Sequence, residues 1–148
     1  MNTVAALSPA LREALLKAAQ CAAAHSYSPY SGLTVGAAVL TADGAIYSGC
    51  NVENASFGLT LCAERNAICR AVAQGDRDFL ALAVYAPGTT PIYPCGACRQ
   101  VLAEFSPDAL ILCGDDAGQV VECRLSELLP GPSLANKLQS DRQEQPND

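Results

Sequence analysis

Two short segments constrain this chain more than any other part of it: Cys62-Ala63-Glu64-Arg65, and Pro94-Cys95-Gly96-Ala97-Cys98-Arg99-Gln100 downstream. Cys-x-Glu followed by Pro-Cys-x-x-Cys offers three thiolates to one ion, so the fold has to bring two distant segments together. A zinc ion held by three protein ligands keeps its fourth position open, and that opening separates a catalytic zinc from a structural one. Glu64, beside the first thiolate and not needed as a ligand, is then free to carry a proton for a metal-activated water. At about 100° per residue, helical positions two apart point to nearly opposite sides. Cys62 and Glu64 can therefore share a site only if the end of a helix, and not its flank, faces the ion. The partial positive charge of a helix N-terminus also favours thiolate over thiol.

The 148 residues are half apolar and only 16% charged, which predicts one globular domain over residues 1–139. No apolar run approaches the roughly 20 residues that span a bilayer. The start, Met1 to Gln20, lacks the basic-then-apolar pattern of a secretory signal. A cytoplasmic protein with reduced thiols is the expectation. The five cysteines outside the two clusters, Cys21, Cys50, Cys69, Cys113 and Cys123, have apolar neighbours and read as small core residues. A formal charge of −6 disfavours nucleic acid as a partner, because phosphate binding needs a basic surface. A small neutral substrate fits better.

Along the chain, Ser8-Pro9 reads as an N-cap and first helical position, opening a helix that ends near His25. His25, the lone histidine, reads as a helix-end residue and not a ligand. Ser26 to Gly32 is a loop by composition. Val35 to Thr41 is a buried strand, Asp43-Gly44 a hairpin turn, and Ile46 to Cys50 the return strand. Asn51 to Asn54, taken alone, reads as a solvated loop. Helices follow from Cys62 to about Gln74 and from Cys95 to about Phe105, with a strand over Phe79–Tyr85 between them. Leu110–Cys113 and Val120–Arg124 are two short strands, Ser126–Leu129 a short helix, and Leu134–Leu138 a candidate last helix. Residues 140–148 are polar and read as a disordered tail. This order predicts an α/β fold, a sheet of about five strands with helices on both faces.

Beyond the cysteine segments, Thr60–Arg65, Pro94–Leu102, Gly49–Ser56, Val35–Val39 and, more weakly, Ser126–Pro130 together resemble a known family. In that order they are similar to the motifs of the zinc nucleoside deaminases, most closely the small homotetrameric cytidine deaminases. The resemblance implies a three-layer α/β/α sandwich with a mixed sheet. It implies one zinc per subunit on Cys62, Cys95 and Cys98, with Arg65 hydrogen-bonded to the sulfurs. Asn51 and Glu53 would bind the ribose hydroxyls, and backbone near Ala63 and Cys95 would read the base edge. The implied reaction is hydrolysis of cytidine or deoxycytidine to uridine or deoxyuridine plus ammonia, by zinc-bound hydroxide with Glu64 as proton shuttle. Pockets shared between subunits imply a homotetramer.

Three positions depart from the family pattern. Leu33 stands where relatives usually have phenylalanine against the pyrimidine, and Phe57 where tyrosine is frequent. Ser133, with Leu134 beside it, aligns where a neighbouring subunit commonly donates phenylalanine. Without the aromatic stacking of phenylalanine, Leu33 is expected either to weaken the Michaelis constant for cytidine or to open a roomier pocket that accepts cytidines substituted on N4 or C5. The alternatives are a blasticidin-type deaminase, a thiol–disulfide protein using Cys95 and Cys98, and a structural zinc with Cys50 or Cys69 as fourth ligand. A nucleotide monophosphate would need a cluster of positive side chains that the sequence does not show.

Overall fold

The computed structural model describes residues 7–88 and 90–131. Ser133, Leu134, the candidate helix at 134–138 and the tail at 140–148 lie outside them.

Helix α1 (Pro9–Ala23) begins as its sequence requires, with the Ser8 hydroxyl accepting from the Leu11 N–H at 3.3 Å and proline at the first position. Strands β1 (Gly36–Thr41) and β2 (Ile46–Cys50) form the hairpin, where Gly44 takes φ +94°, a conformation open mainly to glycine. Then come α2 (Ala63–Ala73), β3 (Phe79–Tyr85), α3 (Gly96–Phe105), β4 (Leu110–Gly114), β5 (Val120–Arg124) and the short α4 (Leu125–Leu128). The expected five strands are present, and α4 begins one residue earlier than the sequence pattern placed it.

The strand order is β2-β1-β3-β4-β5, with β3 and β4 parallel and the other pairs antiparallel. The three inner strands are almost wholly buried because helices cover both faces, whereas β2 and β5 are edges. Side chains alternate between the two layers. Ala38, Leu40, Ala81, Ala83, Leu110 and Leu112 pack with Leu15 and Ala19 of α1. Val39, Leu82, Val84 and Ile111 pack with Ala67 and Ile68 of α2 and Leu102 of α3. The fold is the three-layer sandwich.

Register explains where the site lies. Gly36 opposes both Cys50 and Tyr85, and Tyr85 opposes Gly114, so β2, β3 and β4 all finish at one edge of the sheet. From that edge the chain runs from β2 through a loop into α2, and from β3 through a loop into α3. Both helices lie on the same face, so both N-termini start beside each other.

Contact between α2 and β2 is close enough to exclude a side chain. A Cβ on Gly49 would fall 2.6 Å from the Ala67 nitrogen and 2.8 Å from the Ala63 oxygen, both backbone atoms. Gly49→Ala is therefore expected to destabilise the protein by about 1–3 kcal/mol, the usual cost of overpacking. It should also lower activity, because Ala63 sits between Cys62 and Glu64. Denaturant unfolding checks the first effect. Wild-type stability in the variant would mean that α2 can lift from the sheet without cost.

Candidate active site

Cys62 and Cys95 are the N-cap residues of α2 and α3, each with extended backbone (ψ 153° and 168°). Standing just outside its helix, Cys62 escapes the rotation that would otherwise turn it away from Glu64. Cys98 lies within the first turn of α3 and is fully buried. The Cys62 and Cys95 sulfurs are 3.8 Å apart, and those of Cys95 and Cys98 are 3.5 Å apart. All three lie within 4.8 Å of one another, and no other such group of acidic, histidine or cysteine ligands occurs among the described residues.

These sulfurs fit a zinc ion. At 2.3 Å from a tetrahedral centre, ligand sulfurs sit about 3.8 Å apart. Their protonation chemistry points the same way. Hydrogen bonding from Cys98 pulls Cys62 down to about 5, with help from Arg65 and Cys95 and against burial. The same bond to Cys62, together with burial, pushes Cys98 upward. Three sulfurs in contact cannot all give up their protons unless a cation sits among them. The Arg65 guanidinium supplies part of that charge, its Nη2 donating to the Cys62 sulfur and to the Thr60 carbonyl, each at 3.4 Å.

Glu64, in the first turn of α2, is only 4% exposed. Burial raises its pKa above the usual carboxylate range, and repulsion from the Cys62 thiolate adds to that. Its backbone N–H, the Cys98 thiol and Arg65 pull the other way. A carboxyl that retains its proton more readily than usual, beside three sulfurs, is suited to proton transfer.

The flanking loop is tied together by hydrogen bonds. Asn51 Oδ1 accepts from the Val35 N–H at 2.9 Å and from the Ser26 hydroxyl, and its Nδ2 donates to the Leu33 carbonyl at 2.8 Å. Asn51 is thus a buried tie between β2 and the segment entering β1. Glu53 accepts from the Ser31 hydroxyl and from the N–H groups of Tyr30 and Ser31, which hold its pKa below the ordinary value. Tyr30, Ser31, Glu53, Phe57 and Thr60 line a cavity of about 240 Å³. Tyr30 and Phe57 meet edge-on there, with ring centroids 5.5 Å apart. A larger cavity, about 500 Å³, lies between α1 and the β4–β5 turn, and none of the candidate site residues lines it. The smaller one is lined by Thr60, whose carbonyl accepts from the same Arg65 nitrogen that donates to the Cys62 sulfur, which ties it to the sulfur cluster.

The structure thus gathers Cys62, Glu64, Arg65, Cys95 and Cys98 at one point, with Ala63 buried between the first two. Asn51, Glu53, Leu33 and Phe57 stand in the adjoining loops, Leu33 and Phe57 exposed. Sequence reasoning missed Ser26 and Ser31, whose partners are 25 and 22 residues away. Their hydroxyls in a turn-rich segment were the available signal. It also misjudged the spare cysteines. Only Cys113 is buried, while Cys21 and Cys69 are exposed on helix surfaces. Neither Cys50 nor Cys69 joins the sulfur cluster, which leaves a structural four-cysteine zinc without its fourth ligand among the described residues.

Comparison with known proteins gives the same picture. The model of the cytidine and deoxycytidylate deaminase zinc-binding region matches residues 9–113. A cytidine deaminase of Halalkalibacterium halodurans is 48% identical over 128 residues, covering 86% of this chain and 97% of the relative. The crystal structure of a cytidine deaminase from Burkholderia pseudomallei superposes with a TM-score of 0.77 at 46% identity, covering 80% of this chain and 95% of that one. A blasticidin-S deaminase of Bacillus cereus is more distant, 35% identical over 104 residues and covering 65% of this chain and 74% of the relative.

Proposed function

The chain belongs to the cytidine and deoxycytidylate deaminase zinc-binding family, and on that premise we propose that it hydrolyses cytidine and deoxycytidine to uridine and deoxyuridine, releasing ammonia. It is a zinc-dependent hydrolytic deaminase, with Cys62, Cys95 and Cys98 as the residues that would hold the metal. The observation that carries the substrate reading is a buried carboxyl, Glu64, beside three converging sulfurs, with a cavity of about 240 Å³ lined by Glu53 and Thr60 in the adjoining loops. The blasticidin-type reading is not favoured, given the greater distance of that relative.

Cys62, Cys95 and Cys98 would hold a zinc ion, which would supply Lewis acidity enough to lower the pKa of water from 15.7 towards about 7. Glu64 takes one proton from the attacking water and delivers it to N3 of the pyrimidine as oxygen adds to C4. It then carries the second proton to the exocyclic N4, the C4–N4 bond breaks, and ammonia leaves. Three thiolates leave a zinc site with one net negative charge, which weakens its Lewis acidity. Arg65, donating to the Cys62 sulfur, withdraws some of that charge.

Asn51 and Glu53 bind the ribose hydroxyls in this reading. Glu53 would exchange its bond from the Ser31 hydroxyl for one from the sugar, and Asn51 would use the Nδ2 hydrogen left over from Leu33. Backbone at Ala63 reads the base edge. Leu33, Phe57, Leu59, Leu61 and Tyr93 leave large apolar surface exposed around the site. That exposure supports a homotetramer in which neighbouring subunits cover the pocket, which sedimentation analysis would test. No described helix is long and apolar enough to cross a membrane.

The test couples two measurements on one preparation: loss of cytidine absorbance with ammonia release, and zinc content. One zinc per chain with equal uridine and ammonia is the expected result. A zinc-loaded protein that leaves cytidine intact would refute the substrate. Leu33 supplies a second prediction. Its carbonyl is held by Asn51, so a phenylalanine there would start from a fixed point. An aromatic contact worth about 0.5–1.5 kcal/mol should raise kcat/KM for cytidine about 2- to 12-fold in Leu33→Phe. Turnover of N4- or C5-substituted cytidines should fall in the same variant. Equal profiles for the two proteins would remove Leu33 from specificity.

A further inference from the structure

The three cysteines are secured by different means. Cys98 is fixed by burial within α3, and Cys62 by the Arg65 guanidinium. Cys95 is exposed, and the hydrogen bonds described for its sulfur involve only the other two thiols. Its position must be set by the backbone on either side of it.

Both peptide units flanking Cys95 are tied to a single residue, Arg99. The Arg99 backbone N–H donates to the Cys95 carbonyl at 3.0 Å, and its side-chain Nε donates to the Pro94 carbonyl at 2.8 Å. The Pro94 carbonyl lies in the peptide plane that leads into Cys95. Holding that plane fixes the φ of Cys95 and hence the direction of its Cα–Cβ bond. The other arm of the guanidinium, Nη1, donates to the Leu128 carbonyl at 3.1 Å, in the last residue of α4. A planar fork with several fixed donors can hold both carbonyls at once, which an ammonium does poorly. Arg99 touches none of the sulfurs in this arrangement, unlike Arg65.

We propose that Arg99 is a positioning residue for the metal centre. It locks the Pro94–Cys95 peptide against α4 so that the exposed Cys95 sulfur stays where the ion needs it. The inference rests on the zinc reading above and extends it to a residue outside the sulfur contacts.

The test compares wild type, Arg99→Gln, Arg99→Lys and Leu15→Ala. Leu15 of α1 is fully buried on the opposite face of the sheet, and its truncation costs stability without touching α3, α4 or the Pro94 carbonyl. Zinc affinity is measured by chelator competition, the sulfur-to-metal charge-transfer band after cobalt substitution, and Tm by thermal unfolding. Arg99→Gln should bind zinc at least about 10-fold more weakly and shift the cobalt band, with Arg99→Lys partly restoring both. Leu15→Ala should lower Tm and leave zinc affinity unchanged. Wild-type zinc affinity in Arg99→Gln, with a lowered Tm, would overturn the proposal and leave Arg99 as a pin for α4. If Arg99→Gln does not fold, Arg99→Lys carries the same comparison, and wild-type affinity there overturns it as well. Wild-type protein that holds no zinc would instead sink the metal reading itself.

Discussion

Glu64→Ala should retain zinc at one equivalent per chain while turnover falls by at least the roughly 10²–10⁴ that a lost acid–base group costs. Retention follows from geometry. The three sulfurs already lie within 4.8 Å of one another, and Glu64 is not needed among them. The loss should lie at or beyond the upper end of that range, because the proposed reaction has Glu64 move two protons in one cycle. Glu64→Gln is the sharper variant, since it preserves shape and removes only the capacity to exchange a proton. It also replaces a buried carboxyl that burial already pushes towards its neutral form. The glutamine variant should therefore unfold at no lower denaturant concentration than wild type, which rules out misfolding as the cause of inactivity. Near-normal kcat in either variant would remove Glu64 from the mechanism. Loss of zinc from both would make it a ligand instead.

That much of the site was legible because its residues are neighbours in sequence or follow a spacing that only one ion explains. Cys62, Glu64 and Arg65 fall within four positions, and Cys95 and Cys98 bracket one helical turn. The inner strands were legible for a similar reason. An unbroken apolar run such as Gly36–Thr41 or Phe79–Tyr85 has to be covered on both faces. What the sequence did not reveal are bonds between segments far apart. Asn51 reads as a loop residue until Val35, Leu33 and Ser26 are seen converging on its amide. Arg99 looks like a twin of Arg65, since each follows close on a metal-binding cysteine. The difference comes from α4, which lies beside α3 and offers the Leu128 carbonyl. Strand order has the same origin, because nothing in the order of elements says that β1 sits between β2 and β3. The spare cysteines failed for a further reason: apolar neighbours in sequence do not say which way a helical side chain faces. Cys21 and Cys69 lie on the outer sides of α1 and α2.

Stripping the metal with a chelator should abolish turnover completely yet leave a folded protein. In small zinc-folded modules, metal binding and folding are one event. Here they should be separable, because the apolar clusters on both faces of the sheet include none of Cys62, Cys95 and Cys98. The apo protein should keep a single cooperative unfolding transition. Added zinc should then raise stability by about 4 kcal/mol once free metal exceeds Kd roughly 1,000-fold, provided the unfolded chain binds little. For a chain of this size that is a Tm increase on the order of 10 °C. Cys98→Ala should reproduce the chelated state and resist rescue by zinc, since two thiolates remain where three are required. The informative comparison is between the two losses. Chelated wild type should regain full turnover with one equivalent of zinc, whereas Cys98→Ala should not. An apo protein that unfolds without a cooperative transition would mean that the ion holds α2 and α3 on the sheet, and that the apolar layers alone do not. Full turnover after exhaustive chelation would remove zinc from the chemistry, and with it the reason for three sulfurs to meet.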